Sequence, residues 1–144
     1  MVFRDVNGEP RLIKHNCSPE RKGYPITEIE LHRFGIELLT ELYSKEGMAI
    51  KDINGIEGYE YPQFVMESPN NKLYYIAVKA TVYPTDPFSL PKKDCFQIIS
   101  LARKFNATPA FAGIGFASVD GVAFDKGIRG GSFFVSFKGL ELLT

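Results

Sequence analysis

Lys79 is the residue whose type and setting best suit catalysis. It lies within residues 73–82, where Tyr, Ile, Val and Thr side chains favour a β-strand. A lysine held there could orient a water molecule or stabilise developing negative charge. The alternative to a catalytic role is a structural one, in which the lysine side chain extends to the sheet edge or pairs with a carboxylate on a helix. The residues alone leave both roles open.

Other reactive side chains lack the spacing that their chemistry requires. His15 and His32 are far apart and match no metal motif, so we expect both at the surface. Cys17 and Cys95 have no CxxC partner and are interpreted as structural or incidental. Residues 127–132 are glycine-rich, but no Lys-Ser or Lys-Thr pair follows them, so they indicate a hairpin turn rather than a phosphate loop.

Basic residues form two local groups that could follow a phosphate backbone. The first consists of Arg11, Lys14, Arg21 and Lys22, and the second of Lys92, Lys93, Arg103 and Lys104. The tyrosines interleaved with them are Tyr24, Tyr61 and Tyr83. Because 17 basic and 17 acidic residues cancel, the chain as a whole gives no electrostatic reason to favour nucleic acid. The two basic groups therefore have two interpretations: they form a basic face on a neutral chain, or they are ordinary solvated charges.

Length and composition predict a single cytoplasmic globular domain. The 144 residues are 44% hydrophobic and 24% charged, which is average for soluble globular proteins and excludes a disordered, collagen-like or coiled-coil chain. Apolar runs are only a few residues long, so we expect no membrane span. Residues 1–10 contain no apolar block typical of a secretory signal. Two cysteines make no disulfide framework, which fits a reduced compartment.

Two helices are predicted to flank the strand that carries the lysine. The first covers residues 28–46, because Thr27 and Glu30 form a capping box and Gly47 provides a left-handed end. The second covers residues 91–105 and has a proline in its tolerant first turn. The apolar face of the second helix is expected to consist of Phe96, Ile99 and Phe105, with Ile98, Leu101 and Ala102 between them.

Strand candidates fill the rest of the predicted order. They cover residues 48–52, 62–67, 73–82 and 108–116, with a short strand at 11–14 and a final hairpin at 122–124 and 132–137. Residues 109–116 are apolar with small side chains, as expected for a strand covered on both faces. The order α-β-β-β-α-β-β predicts one α/β domain over residues 1–144, with a central mixed sheet flanked by helices.

Three segments in this order carry a resemblance to a known family. Residues 41–47 (ELYSKEG) end a helix at a glycine before a strand, residues 74–81 read YYIAVKAT, and residues 98–112 read IISLARKFNATPAFA. The second segment resembles an "hEVKxT" strand and the third an "hhxhArrFgaxPhhA" helix and strand, where h is hydrophobic. Together they resemble the PD-(D/E)XK nuclease superfamily and, within it, the archaeal Holliday-junction resolvases. The resemblance covers residues 28–116 and implies a restriction-endonuclease-like α-β-β-β-α-β core.

The resemblance also implies where a metal site would lie. In the family, an aspartate after a proline in the second strand and an acidic residue two positions before the lysine in the third strand hold a divalent cation. Here Gln63 follows the proline, and Ala77 lies two positions before Lys79. Neither supplies the carboxylate oxygens that Mg²⁺ prefers and that metal-assisted hydrolysis needs. Glu37 resembles a first-helix glutamate that some members add, at a spacing one residue different from theirs. The resemblance implies a degenerate site without a metal or other cofactor.

The degenerate site is expected at one edge of the sheet. We predict that Gln63, Ala77 and Lys79 face the start or middle of the helix over residues 28–46. A buried ammonium group needs a hydrogen-bond or charge partner. The predicted partners of the lysine amine are the amide oxygen of Gln63 and a carboxylate of Glu37 or Glu41. A solvated position with an ion pair is the structural alternative for Glu37.

Three functions stay open at this point. The first is a nuclease-fold protein that has lost catalysis and binds DNA, RNA or a protein partner. The second is an active Mg²⁺-dependent, structure-specific DNA endonuclease in which Glu67 or Asp52 supplies a relocated carboxylate. The third is a structural homodimer, since related resolvases pair two subunits across a junction. The first is favoured, because both positions that should hold the metal are neutral.

Overall fold

The computed structural model of the protein describes residues 12–15, 25–53, 64–83, 85–119 and 131–143. The predicted strand at 122–124 and nearly all of the glycine-rich turn before residue 132 lie outside these ranges, as does Gln63.

Helix α1, Glu28–Lys45, begins and ends as its sequence predicts. The Thr27 hydroxyl accepts a hydrogen bond from the Glu30 backbone N–H at 3.2 Å, and the Glu30 carboxylate accepts one from the Thr27 backbone N–H at 3.1 Å. This reciprocal pair satisfies two backbone donors that the first turn leaves free. At the other end Gly47 has φ +86°, a conformation that favours glycine and stops the helix.

Helix α2 is slightly shorter than predicted. It spans Lys92–Lys104, with Pro91 at its N-cap rather than in its first turn. No helix in the described part of the chain is both long and apolar enough to cross a bilayer.

All described strands belong to one mixed sheet. They are β1 (Leu12–Lys14), β2 (Ala49–Ile53), β3 (Phe64–Glu67), β4 (Leu73–Val82), β5 (Thr108–Ser118), β6 (Ser132–Phe137) and β7 (Glu141–Leu142). The order across the sheet is β1-β6-β5-β4-β3-β2, and β7 pairs with β5. β4 and β5 are parallel over Tyr74–Val82 and Thr108–Phe116, whereas the other pairs are antiparallel. The predicted mixed α/β architecture is confirmed.

β6 and β7 form one interrupted strand along the outer edge of β5. Phe137 pairs with Ile114, and Glu141 pairs with Phe111, so the outer chain has one residue more than β5 over this interval. An extra residue of this kind is the property of a β-bulge, and Gly139 in the interruption has φ +87°. β7 could not be predicted from the sequence, because two residues are too few to show a periodic pattern.

The two helices lie on opposite faces of the sheet. Even-numbered residues of β4, such as Ile76 and Val78, belong to the large apolar cluster that also contains the α1 side chains Phe34 and Leu38. Odd-numbered Ala77 packs instead in a smaller cluster with Ile98 of α2 and Phe111 of β5. Because side chains alternate along a strand, α1 covers the even face of β4 and α2 the odd face.

Candidate functional site

Ala77 and Lys79 lie on the odd face of β4, which α2 covers. Ala77 is fully buried against Ile98 and Phe111, and Lys79 is half-buried two residues further along the strand. The expectation that these two residues share a face is confirmed. The position where the family resemblance calls for a carboxylate is therefore a methyl group in an apolar environment.

The polar side chains of this face are bonded to the chain segment that leads into α2. The Lys79 amine donates a hydrogen bond to the backbone carbonyl of Ser89 at 2.7 Å. The Thr81 hydroxyl donates one to the carbonyl of Thr85 at 2.8 Å. We name residues 85–90 the covering segment, because two side chains of β4 hold it over the odd face of the sheet.

Two glycines of β5 make room for the covering segment. Gly113 and Gly115 pair with Lys79 and Thr81 across the parallel ladder. A Cβ atom at Gly113 would lie 2.2 Å from the Pro87 carbonyl oxygen, and one at Gly115 would lie 3.1 Å from Pro87 Cγ. The backbone at Pro87 thus occupies the space that a side chain on Gly113 would fill.

The covering segment is further fixed by its own contacts. Asp86 Oδ1 accepts a hydrogen bond from the Phe88 backbone N–H at 2.8 Å, which closes a local turn. The amine of Lys138 lies 4.1 Å from the centre of the Phe88 ring, within the range of a cation–π contact. Pro87 is buried. The lysine amine at position 79 is therefore bonded to a segment that several further contacts hold in place.

The prediction that the site faces the first helix is wrong. Gly35 of α1 approaches the even face of the sheet so closely that a Cβ there would lie 3.3 Å from Ala80 Cβ. Lys79, one residue before Ala80, faces the other way. The larger even-numbered side chains of β4 fill the core beneath α1, and that packing fixes which face the odd residues take.

The predicted carboxylate partners of Lys79 are also wrong. Glu37 and Glu41 are exposed on α1, on the opposite side of the sheet, and Glu41 pairs with Lys45 at 3.0 Å. The observed partner of the amine is the Ser89 carbonyl. Gln63, the other predicted partner, lies outside the described residues.

The carboxylates considered as relocated ligands do not assemble a site among the described residues. Glu67, at the end of β3, has its Oε1 atom 3.9 Å from the amine of Lys51. The side chain of Asp52 lies outside the described part of the structure. Within residues 12–15, 25–53, 64–83, 85–119 and 131–143, no three His, Cys, Asp or Glu side chains are grouped so that they could hold a metal ion.

Both histidines are buried, so the expectation of surface positions is wrong. The His15 ring packs edge-on against Phe34, with ring centres 5.2 Å apart. His32 lies on the buried side of α1, where desolvation lowers the pKa of its imidazole below the ordinary 6.5. Burial also raises the pKa of Tyr43, with help from the nearby Glu46 charge, to about 12. These three residues contribute to the core.

The outward face of α2 combines cations with an exposed aromatic ring. Ile98 and Ala102 turn toward the sheet and are fully buried, whereas Phe96 is 70% exposed and Phe105 is 53% exposed. The prediction of Phe96 on the apolar, sheet-facing side is wrong, because two residues rotate a helix by about 200° and place Phe96 opposite Ile98. The predicted positions of Ile98 and Ala102 on that side are confirmed, and Phe105 contacts Tyr75 of β4. The exposed residues of α2 around Phe96 are Lys92, Lys93, Gln97, Ser100, Arg103 and Lys104.

Charge is divided between the two helices. α1 carries four glutamates against Arg33 and Lys45, whereas α2 carries four basic residues against Asp94. Since the helices cover opposite faces of the sheet, a chain of zero net charge has an acidic helix on one side and a basic helix on the other. Of the two interpretations of the second basic group, a basic face on a neutral chain fits this distribution.

Comparison with known proteins identifies a family and no characterised relative. Residues 29–143 match the sequence model of a family described as "Domain of unknown function (DUF8840)", and the chain belongs to this family. No curated protein and no solved structure matches the chain.

Proposed function

We propose that this protein has a restriction-endonuclease-like core that has lost metal-dependent hydrolysis and binds nucleic acid without cutting it. The order α1-β2-β3-β4-α2-β5 supports this assignment of the core. The parallel pairing of β4 with β5, the two strands that carry the second and third resembling segments, supports it further.

The observation that carries the loss of catalysis is the setting of Lys79. Its amine is bonded to the Ser89 carbonyl, and the residue two positions before it is a fully buried alanine. Metal-assisted phosphodiester hydrolysis requires oxygen ligands that hold the cation beside the scissile phosphate. A methyl group offers no ligand, and the lysine amine is bonded to the covering segment. We infer that this lysine stabilises the fold rather than a transition state.

The basic face of α2 is the surface on which nucleic acid would bind. Lys92 and Lys93 lie at one end of the helix, and Arg103 and Lys104 lie at the other. All four are exposed, so each can approach a phosphate. Neutralising phosphates releases condensed counterions, which drives binding at low salt. The covering segment leads directly into α2.

A combined binding and cleavage assay tests this function. The purified chain is titrated into labelled duplex, forked and four-way DNA at low salt, with and without Mg²⁺ or Mn²⁺. We expect salt-sensitive binding and intact DNA in every lane. Lys79→Met serves as the control, since it removes the amine while leaving the α2 cations in place.

The other outcomes distinguish the alternatives. Cleavage that depends on Mn²⁺ and disappears in Lys79→Met would identify an active endonuclease with relocated ligands. If the chain binds neither the DNA substrates nor single-stranded RNA at low salt, the proposal is overturned and a structural protein is favoured. Analytical sedimentation would then detect the homodimer that this alternative expects.

A further inference from the structure

Phe96 is the most exposed large apolar side chain in the described part of the chain, at 70%. It lies in the middle of the outward face of α2, one helical turn from Lys92 and Lys93. A phenylalanine left in water forgoes the stabilisation that burial would give it. Single exposed apolar residues are common, so exposure alone assigns no role. The surroundings of the ring decide the matter.

The surroundings of Phe96 are cationic on both sides along the helix. Lys92 and Lys93 precede it, and Arg103 and Lys104 follow it about two turns later. Asp94 is rotated from Phe96 by about 200° and is half-buried. The outward face therefore presents a flat apolar ring between two pairs of positive charges, separated by roughly 16 Å along the axis.

A second aromatic ring, that of Phe105, follows the last turn of α2 and lies about 180° around the helix axis from Phe96, on the side that faces the sheet. Phe105 is 53% exposed and contacts Tyr75 with ring centres 6.1 Å apart. The amine of Lys104 lies 5.8 Å from the centre of the Phe105 ring. Phe105 is therefore outside the outward face that carries Phe96.

The charge pattern selects among partners for this face. A second copy of the chain docked through the same helix would bring four cations against four, which is repulsive. A polyanion is complementary to both basic pairs. In a duplex the bases are stacked and their flat faces are covered, whereas in a single strand each base offers a free face to an aromatic side chain. An unpaired polynucleotide offers phosphates to the cations and a free base face to the exposed ring.

We propose that the outward face of α2 binds an unpaired polynucleotide strand, with one base stacked on Phe96 and the flanking phosphates on the two basic pairs. This inference rests on the proposed nucleic-acid binding and specifies its ligand. The shared chemistry is a base with a sugar-phosphate backbone, which DNA and RNA both supply.

Fluorescence anisotropy with matched probes tests the proposal. The probes are oligothymidylate, oligouridylate, a hairpin duplex of equal length, and a strand of the same length in which every nucleotide is abasic. The wild-type chain should bind oligothymidylate or oligouridylate more tightly than the duplex or the abasic strand. The ratio of the affinities for oligothymidylate and oligouridylate reports whether DNA or RNA is preferred.

Substitutions at position 96 separate stacking from simple apolar contact. Phe96→Ala should weaken binding to the single strands by roughly 5- to 150-fold and leave binding to the abasic strand unchanged. Phe96→Tyr should retain wild-type affinity, because it retains the ring. Phe96→Leu should lose most of the affinity for single strands, although the leucine side chain is also apolar. The exposure of Phe96 makes all three variants compatible with folding, which circular dichroism verifies.

Two results overturn the inference in different ways. If duplex and single strands bind equally tightly and Phe96→Ala weakens neither, stacking is wrong while nucleic-acid binding stands. If no probe binds at low salt, the proposed function fails together with the inference. If Phe96→Leu and Phe96→Tyr bind with equal affinity, a simple apolar contact explains the binding and base stacking on Phe96 is rejected.

Discussion

At the scale of single residues, the role of Lys79 is set by the atom that its amine contacts. A lysine beside a metal-bound phosphate stabilises developing negative charge, but the same side chain bonded to a backbone carbonyl ties two segments together. The 2.7 Å contact with the Ser89 carbonyl is a charge-assisted hydrogen bond, which is stronger than a neutral one. The neighbouring Thr81 makes a similar contact with Thr85. Both side chains therefore hold the covering segment against the sheet.

Introducing an acidic residue at position 77 tests whether the odd face of β4 can still form a metal site. Ala77 is fully buried between Ile98 and Phe111, so Ala77→Glu would bury a carboxyl group in an apolar cluster. We expect a loss of about 3 kcal/mol or more in the free energy of unfolding. Because the chain has no tryptophan, urea unfolding is followed by circular dichroism.

Ala49→Glu is the matched control for this substitution, because Ala49 is an exposed strand residue. It lies opposite Glu67, and the like charges should cost less than about 1 kcal/mol. Equal stabilities of the two variants, with Mn²⁺ binding detected by calorimetry in Ala77→Glu alone, would contradict our view of a closed apolar position.

His32 predicts a defined pH dependence of stability. Burial lowers its pKa in the folded chain, whereas in the unfolded chain the imidazole takes up a proton near its ordinary pKa of about 6.5. The unfolded state therefore binds more protons below that pH, and stability falls as the pH drops. For one proton the slope is at most about 1.4 kcal/mol per pH unit.

Urea unfolding of wild type and His32→Gln between about pH 7.5 and pH 5.5 measures this slope. The variant has no imidazole at position 32, so its stability should change less over this interval. His15→Gln is the control, since it retains His32 and should retain the contribution of that residue. An identical slope in wild type and His32→Gln would show that another group controls the acid sensitivity.

Some residue-scale features were predictable and others were not. The alternation of strand side chains placed Ala77 and Lys79 on one face from sequence alone, but which helix covers that face is a property of tertiary packing. The exposure of Phe96 was missed for a related reason. The apolar face predicted for α2 combined Phe96 with Ile98 and Ala102, whereas of these three the sheet buries only Ile98 and Ala102.

At the scale of elements, strong local patterns gave accurate boundaries. The capping box placed the first residue of α1 correctly, and the β-branched and aromatic run gave the bounds Leu73–Val82 of β4. The covering segment illustrates the limit of such reasoning. Prolines at 84 and 87 excluded a helix or strand there, but the fit of Pro87 on Gly113 depends on the parallel register of β4 with β5, which no local pattern contains.

The fit between the covering segment and β5 predicts different costs for two glycine substitutions. Gly113→Ala places a Cβ atom 2.2 Å from the Pro87 carbonyl oxygen, so the backbone must move, and we expect a loss of about 1–3 kcal/mol. Gly115→Ala meets the side-chain atom Pro87 Cγ at 3.1 Å, so a small shift suffices and the loss should be smaller. Urea unfolding compares the two variants.

Limited proteolysis adds a local readout to this comparison. If Gly113→Ala displaces the covering segment, cleavage beside Phe88 should become faster than in wild type and in Gly115→Ala. Equal stability and equal cleavage rates in both variants would show that the segment does not rest on Gly113.

At the scale of the whole molecule, the sheet separates two helices of opposite charge. Composition could not show this, because 17 basic and 17 acidic residues sum to zero however they are arranged. The arrangement follows from topology, which puts α1 and α2 on opposite faces. Electrostatic attraction to a polyanion depends on the local field at a surface rather than on net charge alone. A neutral chain can for this reason bind a polyanion through one face.

Two charge reversals distinguish a basic face from an effect of net charge. Lys93→Glu on α2 and Arg33→Glu on α1 lower the net charge by the same amount, and both residues are exposed. We expect Lys93→Glu to weaken binding of oligothymidylate by roughly tenfold or more at low salt, and to reduce the slope of log affinity against log salt by about 1, as expected when a phosphate contact is lost. Arg33→Glu should weaken binding much less, because α1 covers the face of the sheet opposite to α2. Equal weakening by both variants would mean that only net charge matters, and no weakening by Lys93→Glu would place the binding surface away from α2.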